Sequence, residues 1–210
     1  MMVRDDTNIG AMIECISSKK PDLVEIRIDK LHERRPLEEI AKKKSFPIIA
    51  TDRSDRDRRS KLDQLSDAAG LGFDIVDIEI PTSDAVVKQL KRQGAEVILS
   101  FHDYSRTPTR EELSKILEAE KKLEGDICKV VTTARLPHDN LTILEFVEHE
   151  ATKGRLVSFA MGKEGVPSRI LSPIFGAEFT FAALDDERRT AEGQVTIDEL
   201  RSTWEILGLR

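Results

Sequence analysis

Residues 95–134, AEVILSFHDYSRTPTREELSKILEAEKKLEGDICKVVTTA, hold one complete unit of the fold. The stretch opens as a strand over 95–103, led by Val97, Ile98 and Leu99, and Thr107-Pro108 stops it. Helical spacing runs over 109–124, with Thr109 placed to cap the N-terminus ahead of Glu111 and Glu112. A second strand follows over 126–134. Strand, helix and strand in this order make a βαβ unit, and such units imply a parallel sheet. Two residues do not suit a purely structural strand: His102 ends the first, and Lys129 lies inside the second.

The same rhythm extends in both directions. Strand patterns occur over 22–29, 46–53, 73–80, 155–162 and 178–184, and helical patterns over 36–44, 60–70, 84–93, 138–151, 165–171 and 196–207. An eighth strand would have to come from the short N-terminal stretch MMVRD, with 9–20 as its helix. An eight-stranded (β/α)8 TIM barrel with a short first strand competes with an open doubly wound sheet. Nearly every strand ends in reactive groups: Glu25 and Arg27, Arg53, Asp77 and Glu79, His102, Lys129, Met161-Gly162. A barrel gathers such groups from many strand ends, whereas an open sheet collects them at one switch point, commonly beside a Gly-rich loop. The distribution favours the barrel, as a single domain over 1–210.

Composition narrows the function. The 210 residues are 39% hydrophobic and 34% charged, with a net charge of −6, which argues against nucleic acid as the main partner. No apolar run approaches the roughly 20 residues of a membrane span, and the N-terminus lacks an apolar signal core. Cys15 and Cys128 are the only cysteines, too few for a disulfide framework or a Cys-rich metal site. A cytoplasmic location is the expectation.

Lys129 lies within Ile127-Cys128-Lys129-Val130-Val131, a strand apolar on both faces. Alternation sets Ile127, Lys129 and Val131 on one side. Burial disfavours an ammonium and leaves more free amine, a nucleophile toward carbonyls that gives a Schiff base. The structural alternatives are a lysine reaching to the rim, or one paired with Asp126 or Asp103. Neighbouring strands lie about 5 Å apart, so His102 and Lys129 can share a pocket, where an imidazole carries protons both ways near neutral pH. His102 is also compatible with a hydrogen-bonded turn histidine. A zinc site lacks suitably spaced partners among His32, His138 and His149. Arg169, in the Gly- and Pro-shaped loop 162–169, is placed to meet an anion or to sit solvated. The loop Thr190-Ala191-Glu192-Gly193-Gln194 suits a lid or a plain connection.

Several stretches together resemble one family, the type I 3-dehydroquinate dehydratases of the shikimate pathway. They are VEIRID (24–29), PIIATDR (47–53), DIVDIEI (74–80), SFHDYSRTP (100–108), DICKVV (126–131), MGKEGVPSR (161–169), FGAEFTFA (175–182) and AEGQ (191–194). The resemblance implies a (β/α)8 barrel, a homodimer, and no metal or organic cofactor. It implies that Lys129 forms the Schiff base and that His102 is the general acid and base. Glu25, Arg27 and Arg53 would build the substrate site, and Met161 would line it. Arg169 would grip the substrate carboxylate, while Thr190 and Gln194 would belong to the lid. The expected reaction removes water from 3-dehydroquinate to give 3-dehydroshikimate.

Three positions depart from the family pattern. Asp57 takes the offset at which a glutamate usually positions the histidine, with Asp55 as a substitute. Thr190 stands for a serine. Glu192 replaces the usual lid proline, which should loosen that loop or change its charge. The rival readings are another lysine–imine barrel of the class I aldolase type and a non-catalytic carboxylate-binding barrel.

Overall fold

The computed structural model describes residues 1–189 and 191–209. Seven strands alternate with eight helices: β1 (Met2–Arg4), α1 (Ile9–Ser18), β2 (Val24–Lys30), α2 (Arg35–Lys43), β3 (Ile48–Thr51), α3 (Arg58–Gly70), β4 (Ile75–Glu79), α4 (Asp84–Arg92), β5 (Glu96–His102), α5 (Arg110–Lys121), β6 (Ile127–Thr133), α6 (Asp139–Glu150), β7 (Leu156–Met161), α7 (Val166–Leu171) and α8 (Ile197–Ile206). The strands form one parallel sheet in sequence order, so the fold is α/β, of the (β/α)8 TIM-barrel class with a short first strand. None of the described helices is long and apolar enough to cross a membrane.

The helix starts follow from their caps. Thr109 and Glu112 close a reciprocal capping box on α5, and Thr196 and Glu199 do the same on α8. In each, one hydroxyl and one carboxylate satisfy two amides that the helix leaves unpaired. At the chain ends one expectation holds, the short first strand, and one is corrected, the strand over 178–184. The N-terminal stretch is a true strand, with Met2 beside Arg27 and Arg4 beside Lys30. Residues 178–184, expected as a strand, form no ladder; Ala183 makes only an isolated bridge to Thr196. Glu178 still donates its amide to the Leu156 carbonyl at 2.8 Å. The segment thus runs extended without the repeated bonds of a strand.

The described chain packs as two compact units, Met1–Ile98 with Leu123–Gly125, and Leu99–Lys122 with Asp126–Arg210. In the first, the outer faces of β2 to β4 are apolar, with Ile26, Ile28, Ile48 and Val76 fully buried. In the second, Leu113 and Leu117 of α5 and Ile143, Phe146 and Val147 of α6 pack with Cys128, Val130, Leu156 and Ala160. That cluster decides which way β6 and β7 face. Side chains alternate along a strand, so Cys128 and Val130 toward the helices put Lys129, Val131 and Thr133 on the opposite face. The register sets these three level with Val157, Phe159 and Met161.

Candidate active site

In the first unit the ladder lines up Arg27, Thr51 and Asp77 on adjacent strands. Thr51 donates its hydroxyl to Glu25 Oε1 at 3.0 Å, which holds that carboxylate across the β2–β3 gap. Arg27 grips Asp29 through Nε at 3.1 Å and through a second guanidinium nitrogen. The Arg53 amide donates to the same Asp29 carboxylate at 2.9 Å. Burial raises the Asp29 pKa, but these donors outweigh it and the net shift is downward.

Arg53 follows β3 and pairs with Asp77 at 2.6 Å. Asp77 is fully buried. Burial works against the guanidinium charge, yet Asp77, Glu79 and Glu25 more than compensate, and its pKa is raised. The sequence reading placed Asp77 and Glu79 at a strand end without assigning them a part. Their signal was the alternation in Asp77-Ile78-Glu79, which sets both carboxylates on one face. A cavity of about 240 Å³ opens beside these two residues, and Arg56, Arg58 and Lys61 also line it.

Asp57 has a different local task. It is the N-cap of α3, where Oδ1 accepts from the amides of Arg59 and Ser60, at 3.0 and 3.1 Å, and Oδ2 from the Ser60 hydroxyl at 2.6 Å. The hydroxyl bond is the main cause of its lowered pKa. The aspartate that stands for a glutamate is therefore committed to starting a helix. Asp55 is solvent-exposed.

In the second unit, the Asp103 amide donates to the Val131 carbonyl at 2.9 Å. In a parallel ladder that bond sets His102 level with Val131, one pleat beyond Lys129 on the same face and roughly 8 Å from it along the sheet. His102 stacks on Tyr104, with ring centroids 5.8 Å apart. The Asp103 carboxylate is engaged by Ser105 and Arg106 in a tight turn.

Lys129 is only 4% exposed, so it does not reach out to the surface. Its Nζ lies 4.2 Å from the centroid of the Phe181 ring. Arg169 on α7 is 3% exposed, and its guanidinium lies 4.2 Å over the Phe159 ring. One of its nitrogens donates to the Phe181 carbonyl at 3.3 Å, while Nε has no hydrogen-bond partner among the described residues. Burial pushes its pKa down to about 10. A buried guanidinium with a spare donor is a ready receptor for a carboxylate. Cys128 faces the helices, and burial lifts its thiol to about 12, so it supplies no thiolate.

The loop that carries Arg169 is braced. Ser168 accepts from the Ala160 amide at 3.0 Å and donates to the Gly165 carbonyl, while its own amide donates to Asn140 Oδ1 at 2.9 Å. Met161 ends β7 beside Thr133. The 191–194 loop docks here: the Gly162 amide donates to the Glu192 carbonyl at 3.2 Å, and the Glu192 carboxylate faces Lys163 at 3.7 Å. Gly193 adopts φ +73°, and a Cβ on it would stand 2.1 Å from the Gly162 carbonyl oxygen. Of the two expectations for Glu192, a looser loop or a changed charge, the ion pair with Lys163 fits the changed charge. Gln194 follows directly, its carbonyl held by Arg189. Thr190 lies outside the described residues.

Phe159 and Phe181 escaped the sequence reading as site residues. Phe181 sits within the quoted stretch FGAEFTFA, but nothing local tells a ring that packs from a ring that faces a cation. Among the described residues no group of His, Cys, Asp and Glu is placed to hold a metal ion.

The type I 3-dehydroquinase family model matches residues 1–210. A 3-dehydroquinate dehydratase from Pyrococcus abyssi is 35% identical, covering 96% of this chain and 94% of its own. One from Methanosarcina acetivorans is 31% identical, covering 91% and 87%. The crystal structure of the Geobacillus kaustophilus 3-dehydroquinate dehydratase superposes with a TM-score of 0.86 at 24% identity, covering 95% of this chain and 85% of that one.

Proposed function

The chain belongs to the type I 3-dehydroquinase family, and on that premise we propose that it works through an imine on Lys129, with His102 moving the protons. The reaction is the dehydration of 3-dehydroquinate, a hydro-lyase step of aromatic amino-acid biosynthesis. The observation that carries the imine reading is Lys129 itself, an amine enclosed in the middle of β6 on the face opposite the helix layer.

The substrate has a ketone, a neighbouring methylene, and then a carbon bearing hydroxyl and carboxylate. Lys129 Nζ adds to the ketone carbon and water leaves, giving an iminium. The iminium withdraws electrons from the methylene, and His102 removes a proton there. The C–H electrons move into an enamine. They then expel the hydroxyl, which departs as water with the proton His102 holds. Water adds to the new iminium and releases 3-dehydroshikimate and the free amine. The covalent route replaces one hard elimination with easier steps.

Arg169 binds the carboxylate and so fixes the ring with the reacting C–H toward the base. Glu25, Arg27 and Arg53 add polar contacts to the substrate, Met161 lines the pocket, and Gln194 belongs to the closing loop. Asp57 supports this arrangement by capping α3. The iminium formed between Lys129 and the ketone is the electron sink, so the route requires no cofactor. A single domain over 1–210, acting in the cytoplasm as a homodimer, completes the proposal.

Borohydride trapping tests it. After incubation with 3-dehydroquinate, reduction and digestion, an adduct mass on the peptide containing Lys129 is expected. Turnover without any trapped adduct would remove the imine mechanism.

A further inference from the structure

We propose that Phe181 stabilises the cationic iminium by presenting its ring face to Lys129 Nζ, an inference that rests on the imine reading above. The nitrogen is the atom whose charge changes during turnover. It carries a positive charge in each iminium and none in the enamine between them. A ring face is electron-rich and attracts a cation within about 6 Å of its centroid, most strongly away from water. Lys129 Nζ lies 4.2 Å from the Phe181 centroid and is buried. A ring also has no basic site. It attracts the iminium without competing with His102 for the proton.

The position of Phe181 is set by three contacts. Phe179 meets it edge to face, with centroids 5.5 Å apart and planes at 69°. Phe159 flanks it at 6.0 Å. Its carbonyl accepts from the Arg169 guanidinium at 3.3 Å. The last contact ties the ring under the amine to the group that holds the substrate carboxylate. Arg169 in turn lies over Phe159. Lys129 Nζ and the Arg169 guanidinium thus rest on separate rings of one aromatic cluster. Phe181, in the segment 178–184 that forms no ladder, presents its ring to Lys129 and its carbonyl to Arg169.

The test replaces Phe181 with mono-, di- and trifluorinated phenylalanine, which drains electron density from the ring at nearly constant shape, and with Phe181→Leu. The fraction of Lys129 trapped by borohydride at a 3-dehydroquinate concentration near KM is read by mass, with kcat and KM measured separately. A stepwise fall in trapped fraction and kcat with each fluorine is expected, with a loss on the order of tenfold for Phe181→Leu. KM should move less, because the carboxylate contact of Arg169 is kept. A trapped fraction that stays flat across the fluorinated series overturns the proposal and leaves the imine reading standing. Absence of adduct in the unsubstituted enzyme sinks the imine reading first and this proposal with it. A misfolded Leu variant does not blunt the test, since the fluorinated side chains keep the volume of the site.

Discussion

Replacing Asp77 by alanine should destabilise the protein by an amount set by one buried ion pair. The Asp77 carboxylate is 2.6 Å from the Arg53 guanidinium, and the Arg53 side chain is 11% exposed. Charge centres roughly 4 Å apart attract by about 4 kcal/mol at an effective dielectric constant of 20. Truncating one partner of a buried pair costs about 3–5 kcal/mol, because the other charge stays buried without it. Glu79 and Glu25 also offset the Arg53 charge, which argues for the lower end, about 3 kcal/mol. For a chain of this size that corresponds to a fall of roughly 6–12 °C in Tm. Thermal melts of Asp77→Ala, Arg53→Met and the double variant give the coupling directly. The double variant should lose less than the sum of the two single losses by at least about 1 kcal/mol. Additivity within about 0.5 kcal/mol would refute the pairing argument. The activity of Asp77→Ala should fall as well, since Arg53 loses the group that aims it.

Further outcomes follow from the same contacts. Asp57→Asn should keep both melting temperature and kcat, because asparagine caps as well as aspartate, whereas Asp57→Ala should melt earlier; a large drop in kcat for the Asn variant at unchanged melting would return the carboxylate to the histidine. Gly193→Ala forces a Cβ into backbone atoms of Gly162 and should raise KM with little change in melting temperature, so kinetics identical to the parent would show the docking of the loop to be irrelevant to turnover. Asp29 has a lowered pKa, so its stabilising contribution is complete above the unfolded aspartate value near 3.9 and fades as the pH falls toward its lower folded value. The difference in Tm between the parent and Asp29→Asn should accordingly be largest near pH 7 and shrink below about pH 4, and a gap that widens on acidification contradicts the assignment.

Local rules were enough for most of the architecture. Apolar runs, caps and Pro stops marked seven of the eight helices to within about two residues, and the odd placement of Lys129 and His102 marked the chemistry. These features are legible because alternation and capping act within a few residues. The ends of the chain were less legible. Three residues, Met2 to Arg4, form a strand because β2 offers a paired edge, whereas 178–184 forms no ladder, with the Phe181 carbonyl accepting from Arg169 and its ring facing Lys129. The role of Asp57 also turned on context, since its offset from Arg53 matched a catalytic carboxylate while its own backbone made it a cap. Sequence determined which residues are unusual for their positions. Only the tertiary structure decided which rings face Lys129 and Arg169 and which carboxylate faces Arg53, because attraction between charges and rings depends on distances that close between residues far apart in the chain.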